Sequence, residues 1–468
     1  MMIATIREAI ASINAHDATQ ISDWRLVERR LERQERYYVA SRAEQARTID
    51  ETLYSLTVYV DTIENAADGP GASRAGSTVR AGALPMPKLG KFRGEATITI
   101  QPTFSSAECE AKIRQAAFAA SKSRNPWFEL PGPSAPKTSV PVSGFEALSP
   151  AERIETVRHA FFSAANRFGG TARINSLELF IAKETKRLLN SRGFDFASTI
   201  WRGYSEFVVE ADSSSGTVEL FDDIEFSEPE AARLSEAIET RLAQVRDRAH
   251  AAPMPSLQGL PVILRGKEVE EVFGWFFHNS RTEMIYSKAS AFEAGKNVQE
   301  SNKGEAPVEP LDVFAEPVIS GLPSSSPFDA DGFPLERTAV IEDGILKTLI
   351  GSIRHADWLG VPRKGAFGLF SVSPGAMSLD EMHAAPYLEP VMFSDFQLDP
   401  VTGDFGAEVR LAYCFDGAKV VPVTGGSISG SLSALRAAMR RSKEVGLAAH
   451  SLCPKAVMLQ GAIVTGAC

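Results

Sequence analysis

The residues of this chain that could do chemistry are thinly spread. Its seven histidines, at positions 16, 159, 250, 278, 355, 383 and 450, are widely separated, and no two share a helical turn. Catalytic zinc takes about three protein ligands plus a water. A lone imidazole such as His278, between Phe277 and Asn279, therefore reads as a helix-end or interface residue. Phe328-Asp329-Ala330-Asp331-Gly332 sets two carboxylates two residues apart. With no third ligand nearby, they suit backbone capping in a turn better than cation binding. Thr402-Gly403-Asp404 and Thr424-Gly425-Gly426-Ser427 are glycine-rich. Neither has the lysine and hydroxyl of a phosphate loop or the elbow spacing of a serine hydrolase, so tight backbone turns explain them. Cys109, Cys414, Cys453 and Cys468 show no Cys-x-x-Cys spacing, which argues against a disulfide framework or a four-thiolate zinc site. Cys453 reads as a buried small thiol.

The elements that must position these residues fall into two textures. The first half is predicted to be α+β, a sandwich-like region of capped helices laid on antiparallel strands. Ile3, Ile6, Ile10 and Ile13 give an amphipathic helix at the start. Residues 36–40 and 54–61 read as paired strands, and 94–100 as another. Ser105 with Glu108, and Ser149 with Pro150 and Glu152, are helix-opening capping signals. Ser227-Glu228-Pro229-Glu230 is predicted to open a further capped helix, with Ala231, Leu234, Ile238, Leu242 and Val245 facing inward. Asn190-Ser191-Arg192-Gly193 is a hairpin turn, and residues 66–91, rich in Gly, Ala, Ser, Arg and Pro, are predicted to be a mobile loop. Prolines and a glycine in residues 251–261 place a boundary there, giving domains of 1–255 and 256–468. Beyond it, short apolar runs between Gly, Pro and Asp predict a mostly antiparallel, barrel-like β domain, with Asp343-Gly344 and Asp416-Gly417 as hairpin turns.

Composition bounds the function classes. A length of 468 residues fits two or three domains, and a net charge of −10 disfavours phosphate backbones and anionic lipid as partners. The N-terminal helix lacks the uninterrupted apolar stretch of a signal peptide, and no run approaches a membrane span. The expected setting is the cytoplasm.

Five consecutive motifs carry a resemblance. They are SPFDADGFPLERTAVIEDGILKTLI (326–350), HADWLGV (355–361), SPGAMSLDEM (373–382), DPVTGDF (399–405) and PVTGGSISGSL (422–432). In that order they are similar to motifs of the TldD/PmbA family, metallopeptidase-related proteins also described as modulators of DNA gyrase. TldD-type members carry His-Glu-x-x-x-His on a helix after the strand that resembles PVILRG. Here the segment reads EVEEVFGWFFHNSRTEM, with His278 as its imidazole and Val269, Val272, Phe273 and Phe276 as an apolar stripe. The resemblance implies a PmbA-type (TldE) subunit without a metal of its own. Zinc is then expected on a TldD-type partner in a heterodimer that processes extended peptides in a closed chamber. Phe328, Asp329, Gly332, Asp404, Gly425, Ser427 and His278 are the implied chamber residues, and no catalytic residue is assigned to this chain. Two alternatives stand beside this reading: a self-sufficient peptidase drawing on His278, Cys453 or the aspartates near 329, and a peptide-binding scaffold without catalysis.

Overall fold

Long charged strands, not helices, make the frame of the first half. The computed structural model describes residues 2–63, 90–214 and 216–467. Most of the loop predicted over 66–91 lies outside the described residues. The first half contains helix α1 (Met2–His16), strands β1 (Asp23–Val39), β2 (Arg42–Ile63) and β3 (Lys91–Ile100), and α2 (Ser106–Ala120). After β4 (Asn125–Pro126) follow α3 (Pro150–Asn166), β5 (Arg173–Asn190), β6 (Asp195–Ser213), β7 (Gly216–Phe226) and α4 (Ala231–Arg248). The strands form an antiparallel sheet in the order β4-β3-β2-β1-β5-β6-β7.

The strands predicted at 36–40 and 54–61 are the ends of a much longer β1–β2 hairpin that reverses at Ala40, where φ is 50°. Its middle escapes alternation rules because arginines and glutamates occupy both faces and neutralise one another. Glu35, 1% exposed at its side chain, pairs with Arg33 and Arg47. Helices cover one face of the sheet in two patches. Ile6, Ile10 and Ile13 of α1 meet Ile113 and Ala117 of α2 over Leu26 and Leu56. Val157 and Phe161 of α3 meet Ile238 and Leu242 of α4 over Tyr38, Leu179 and Phe207.

Both predicted capping boxes are present, at Ser105/Glu108 and Ser149/Glu152. The third predicted cap is not. α4 begins at Ala231 without a side-chain cap, and Ala231 is exposed. Ser227 and Glu228 instead receive bonds from the chain at 143–144: Ser143 Oγ donates to the Ser227 carbonyl at 2.6 Å, and the Gly144 N–H to Glu228 at 2.7 Å.

The second half builds a six-stranded and a nine-stranded sheet. The barrel expectation is corrected, because neither sheet closes. The long path of the nine-stranded sheet runs from Arg440–Arg441 to Ala252–Pro253, and these end strands do not meet. Pairing is mostly antiparallel, with parallel contacts where distant segments return to the sheet, as at Phe370 with Ser451 and Leu388 with Val262. The two Asp-Gly hairpins are in place, with Asp343 at φ 50° and Gly344 at 74°. Of the segment 251–261, Ala252 and Pro253 pair with Val423 and Thr424, and Met254 is 1% exposed in the second core. Among the described residues no helix is long and apolar enough to cross a membrane.

A buried ion cluster locks one end of the first sheet. Arg93, fully buried on β3, bonds Asp23 at 2.6 Å and Asp61 at 2.7 Å, and Arg192 adds a fork to Asp23 at 2.9 and 3.0 Å. Burial pushes the Asp23 carboxyl up, but the bonds from Arg192 and Ser191 and the Arg93 charge outweigh it and hold Asp23 below its ordinary 3.8. Its contribution to stability is complete above that value and is lost as pH falls. Removing the buried cation takes from Asp23 and Asp61 the one partner they share, so Arg93→Ala should lower the unfolding free energy by about 3 kcal/mol in urea titrations. Asp23→Asn should blunt the loss of stability in acid.

Candidate functional site

The turn at 327–335 is an anchor between the two halves. Phe328, 1% exposed, packs edge-on against Phe194 at 5.5 Å and beside Leu188, both on or next to the β5–β6 hairpin. Asp329 Oδ1 accepts the N–H groups of Asp331 and Phe333, each at 2.9 Å, and its Oδ2 accepts that of Ala366 at 3.2 Å. This is the backbone-capping role expected of both aspartates, and Asp329 fills it. Asp331 turns away and forms an ion pair with Arg25 of β1. Gly332, at φ +87°, lies so close to the sheet that a Cβ there would stand 2.8 Å from Leu188 and 3.0 Å from Phe194.

The short helix Ile353–Leu359 extends the anchor. Arg354 forks onto Glu95 of β3 at 2.6 and 2.9 Å, and the Trp358 indole donates to the Pro126 carbonyl at 2.9 Å. Nothing in the sequence marks Arg25 or Glu95 as partners of this turn, because each is one charge among many on a strand.

The other implied chamber residues lie elsewhere. Asp404 and Ser427 sit on adjacent antiparallel strands, Asp404–Phe415 and Ser427–Ser431, but at opposite ends of their shared ladder, facing Ser431 and Glu408 respectively. Gly425, at φ +79°, precedes the second strand in a turn whose N–H bonds the Val409 carbonyl. Asp404 borders a shallow groove with Glu271, Phe396 and Asp399. Glu271 belongs to helix α5 (Lys267–Asn279), which carries the predicted stripe: Val269, Val272, Phe273 and Phe276 are all fully buried. α5 meets the 399–404 turn through Asn279, which donates to the Pro400 carbonyl at 2.8 Å, and through Trp275, packed beneath Gly403. His278 is half-buried at the end of α5. Burial and the nearby Arg281 push its imidazole below the ordinary value, against the pull of Glu283.

The described donors do not fit zinc. Among the described residues no three His, Cys, Asp or Glu side chains converge. Glu270 of α5 accepts the His450 N–H at 2.9 Å and the Ser451 hydroxyl at 2.8 Å. His278 follows eight residues later, about 12 Å along a helix axis. Cys453, buried nearby, has its thiol pushed up to about 11 by burial, which keeps it a neutral thiol and a poor nucleophile or ligand. The Glu270–His450–Ser451 contact was not legible in the sequence, since its parts lie 180 residues apart.

Two variants test the anchor. Gly332→Ala combines a positive φ with a clash and should cost about 1–3 kcal/mol in chemical denaturation. Burial and the Asp331 charge push Asp329 from 3.8 up to about 6, against three backbone donors. The folded state thus holds that proton more tightly, so this group's contribution is greatest below 3.8 and declines through about 6. Asp329→Asn should remove that slope from melting temperatures measured across the interval.

Comparison with known proteins matches this architecture. Residues 258–466 match the PmbA/TldA metallopeptidase C-terminal domain. TldE from Thermococcus kodakarensis superposes with a TM-score of 0.75 at 14% identity, covering 100% of both chains. A Thermotoga maritima protein, proposed as a modulator of a DNA gyrase, gives 0.74 at 16% identity, covering 99% of this chain and 100% of that one. A Bacteroides thetaiotaomicron protein with the same proposed role gives 0.76 at 14%, covering 99% and 98%. In sequence, an uncharacterized protein of Methanocaldococcus jannaschii is 28% identical over 120 residues, 23% of this chain and 29% of that relative's length. The structural likenesses, at such low identity, show a shared fold. Residues 258–466 thus carry the C-terminal domain of the PmbA/TldA metallopeptidase family, and the chain as a whole shares the fold of these structures.

Proposed function

We propose that this chain is the metal-free, TldE-type subunit of a heterodimeric zinc metallopeptidase. The carrying observation is α5. It follows the strand Val262–Arg265, as the zinc helix does in the resemblance, and keeps a fully buried stripe, while among the described residues no metal donors converge on it. A helix retained for packing without its ligands suits a subunit kept for architecture. The likeness to TldE over the full length supports the same assignment. Zinc then belongs to a TldD-type partner, and the substrate is an extended, unfolded peptide or a natural-product precursor.

In this reading the division into 1–255 and 256–468 gives a sheet layer and a second layer that together wall part of a chamber. Phe328, Asp329 and Gly332 act from behind the wall, by fixing the second layer on the first. Asp404, Gly425, Ser427 and His278 shape its surface around α5. The net charge of −10 supports a peptide rather than nucleic acid or an anionic membrane as partner, and the setting is cytoplasmic.

Co-expression with a relative that carries His-Glu-x-x-x-His tests the proposal. Size-exclusion chromatography should return a heterodimer with one zinc ion on the other chain, and peptide cleavage should need both chains. A chain that stays monomeric or homodimeric beside its partner would overturn it, as would cleavage by the isolated chain that is lost in His278→Ala.

A further inference from the structure

A cavity of about 560 Å³ lies at the edge of the first sheet, away from α5. One wall is six consecutive residues of β6, 196–201. β7 pairs with β6 only from Gly203 onward, so among the described residues this stretch has β5 on one side and no strand on the other. In an antiparallel pair every second residue turns both its N–H and its C=O away from the partner. A row of main-chain donors and acceptors therefore faces the cavity.

The opposite wall is the segment 138–143. Among the described residues the main chain of 138–142 makes no backbone hydrogen bond. Pro136 and Pro141 have no N–H, which keeps this segment from zipping onto β6 itself. Both ends of the slot are pinned. Thr138 is tied to the Leu335 carbonyl at 3.4 Å, and Ser143 to the Ser227 carbonyl at 2.6 Å. Ser227 in turn donates its N–H to the Gly321 carbonyl at 3.1 Å. β7 leaves β6 where the Phe226 ring lies over Gly203; a Cβ there would stand 2.1 Å from the ring.

The charged groups of the lining are already hydrogen-bonded, and two of them cancel. Glu146 holds Lys183 at 2.6 Å and the Trp201 indole at 2.9 Å, and Glu228 holds the Gly144 N–H. The slot thus offers main-chain hydrogen bonds along β6, with one uncompensated carboxylate, Glu228, at its end and no unpaired cation among the described lining residues to select a phosphate.

We propose that this slot binds an extended, uncharged peptide segment, which adds to β6 as a strand. Residues 196–201 span about 20 Å at about 3.3 Å per residue, enough for a segment of about six residues. The site belongs to this chain alone and does not depend on the subunit reading above.

The test is fluorescence anisotropy of the isolated full chain with a labelled, end-blocked hexapeptide of alternating threonine and valine. Saturable binding is expected, weakened at least tenfold when alternate peptide nitrogens are methylated. Val140→Trp, which fills the slot from the opposite wall and leaves the sheet untouched, should weaken it similarly. Absence of binding by the unmodified peptide at millimolar concentration would overturn the proposal. So would equal binding of the methylated peptide, or unchanged affinity in the folded Val140→Trp protein.

Discussion

The architecture depends on one close approach, that of the 327–335 turn to the face of the seven-stranded sheet. Gly332 admits the turn to van der Waals contact with Leu188 and Phe194, and Phe328 fills the space beside them. The carboxylate of Asp331 can be buried there because Arg25 lies opposite. An unpaired charge at such a place would be strongly destabilising, so each half of the molecule supplies what the other needs. The strap before α3 and the helix Ile353–Leu359 then follow: Phe128 packs on Tyr59 and Ile353, and Trp358 closes on Pro126.

That junction also organises the slot at β6. The segment leading from Phe128 to Ser143 is held at both ends by contacts with the second half and the β7–α4 turn. Between those points its prolines hold it off the sheet edge. Natural sheets blunt exposed edges with prolines, charges or a covering segment. Here the cover stands away from the edge and leaves room for a strand. The α5 region is built on a different logic. Its stripe is fully buried, and the one carboxylate turned toward the strand Ser451–Pro454 is consumed by His450 and Ser451.

Much of the local structure was legible. Ser105 with Glu108 and Ser149 with Glu152 cap helices because a short hydroxyl and a glutamate three residues on satisfy each other's orphan amides. Asp343-Gly344 and Asp416-Gly417 turn because those residue pairs tolerate the required torsions. The signal at Ser227 failed, since its carbonyl and the Glu228 carboxylate were claimed by residues 143–144 from across the fold. The lengths of β1 and β2 were hidden as well. Their stability rests on ion pairs between neighbouring strands, such as Arg29 with Glu184, and those leave no period-two pattern along either strand.

The sequence alone determined the caps at Ser105 and Ser149, the Asp-Gly turns and the apolar stripe of α5, because each arises within a few residues of chain. It also determined that no paired imidazoles stand on α5. Only the tertiary structure decided that Asp331 belongs to Arg25, that Glu270 belongs to His450, and that the second half remains open sheets. The same holds for the bare edge of β6. These depend on which charges and edges meet across hundreds of residues, and many strand arginines and carboxylates are chemically equivalent until the fold brings one pair together.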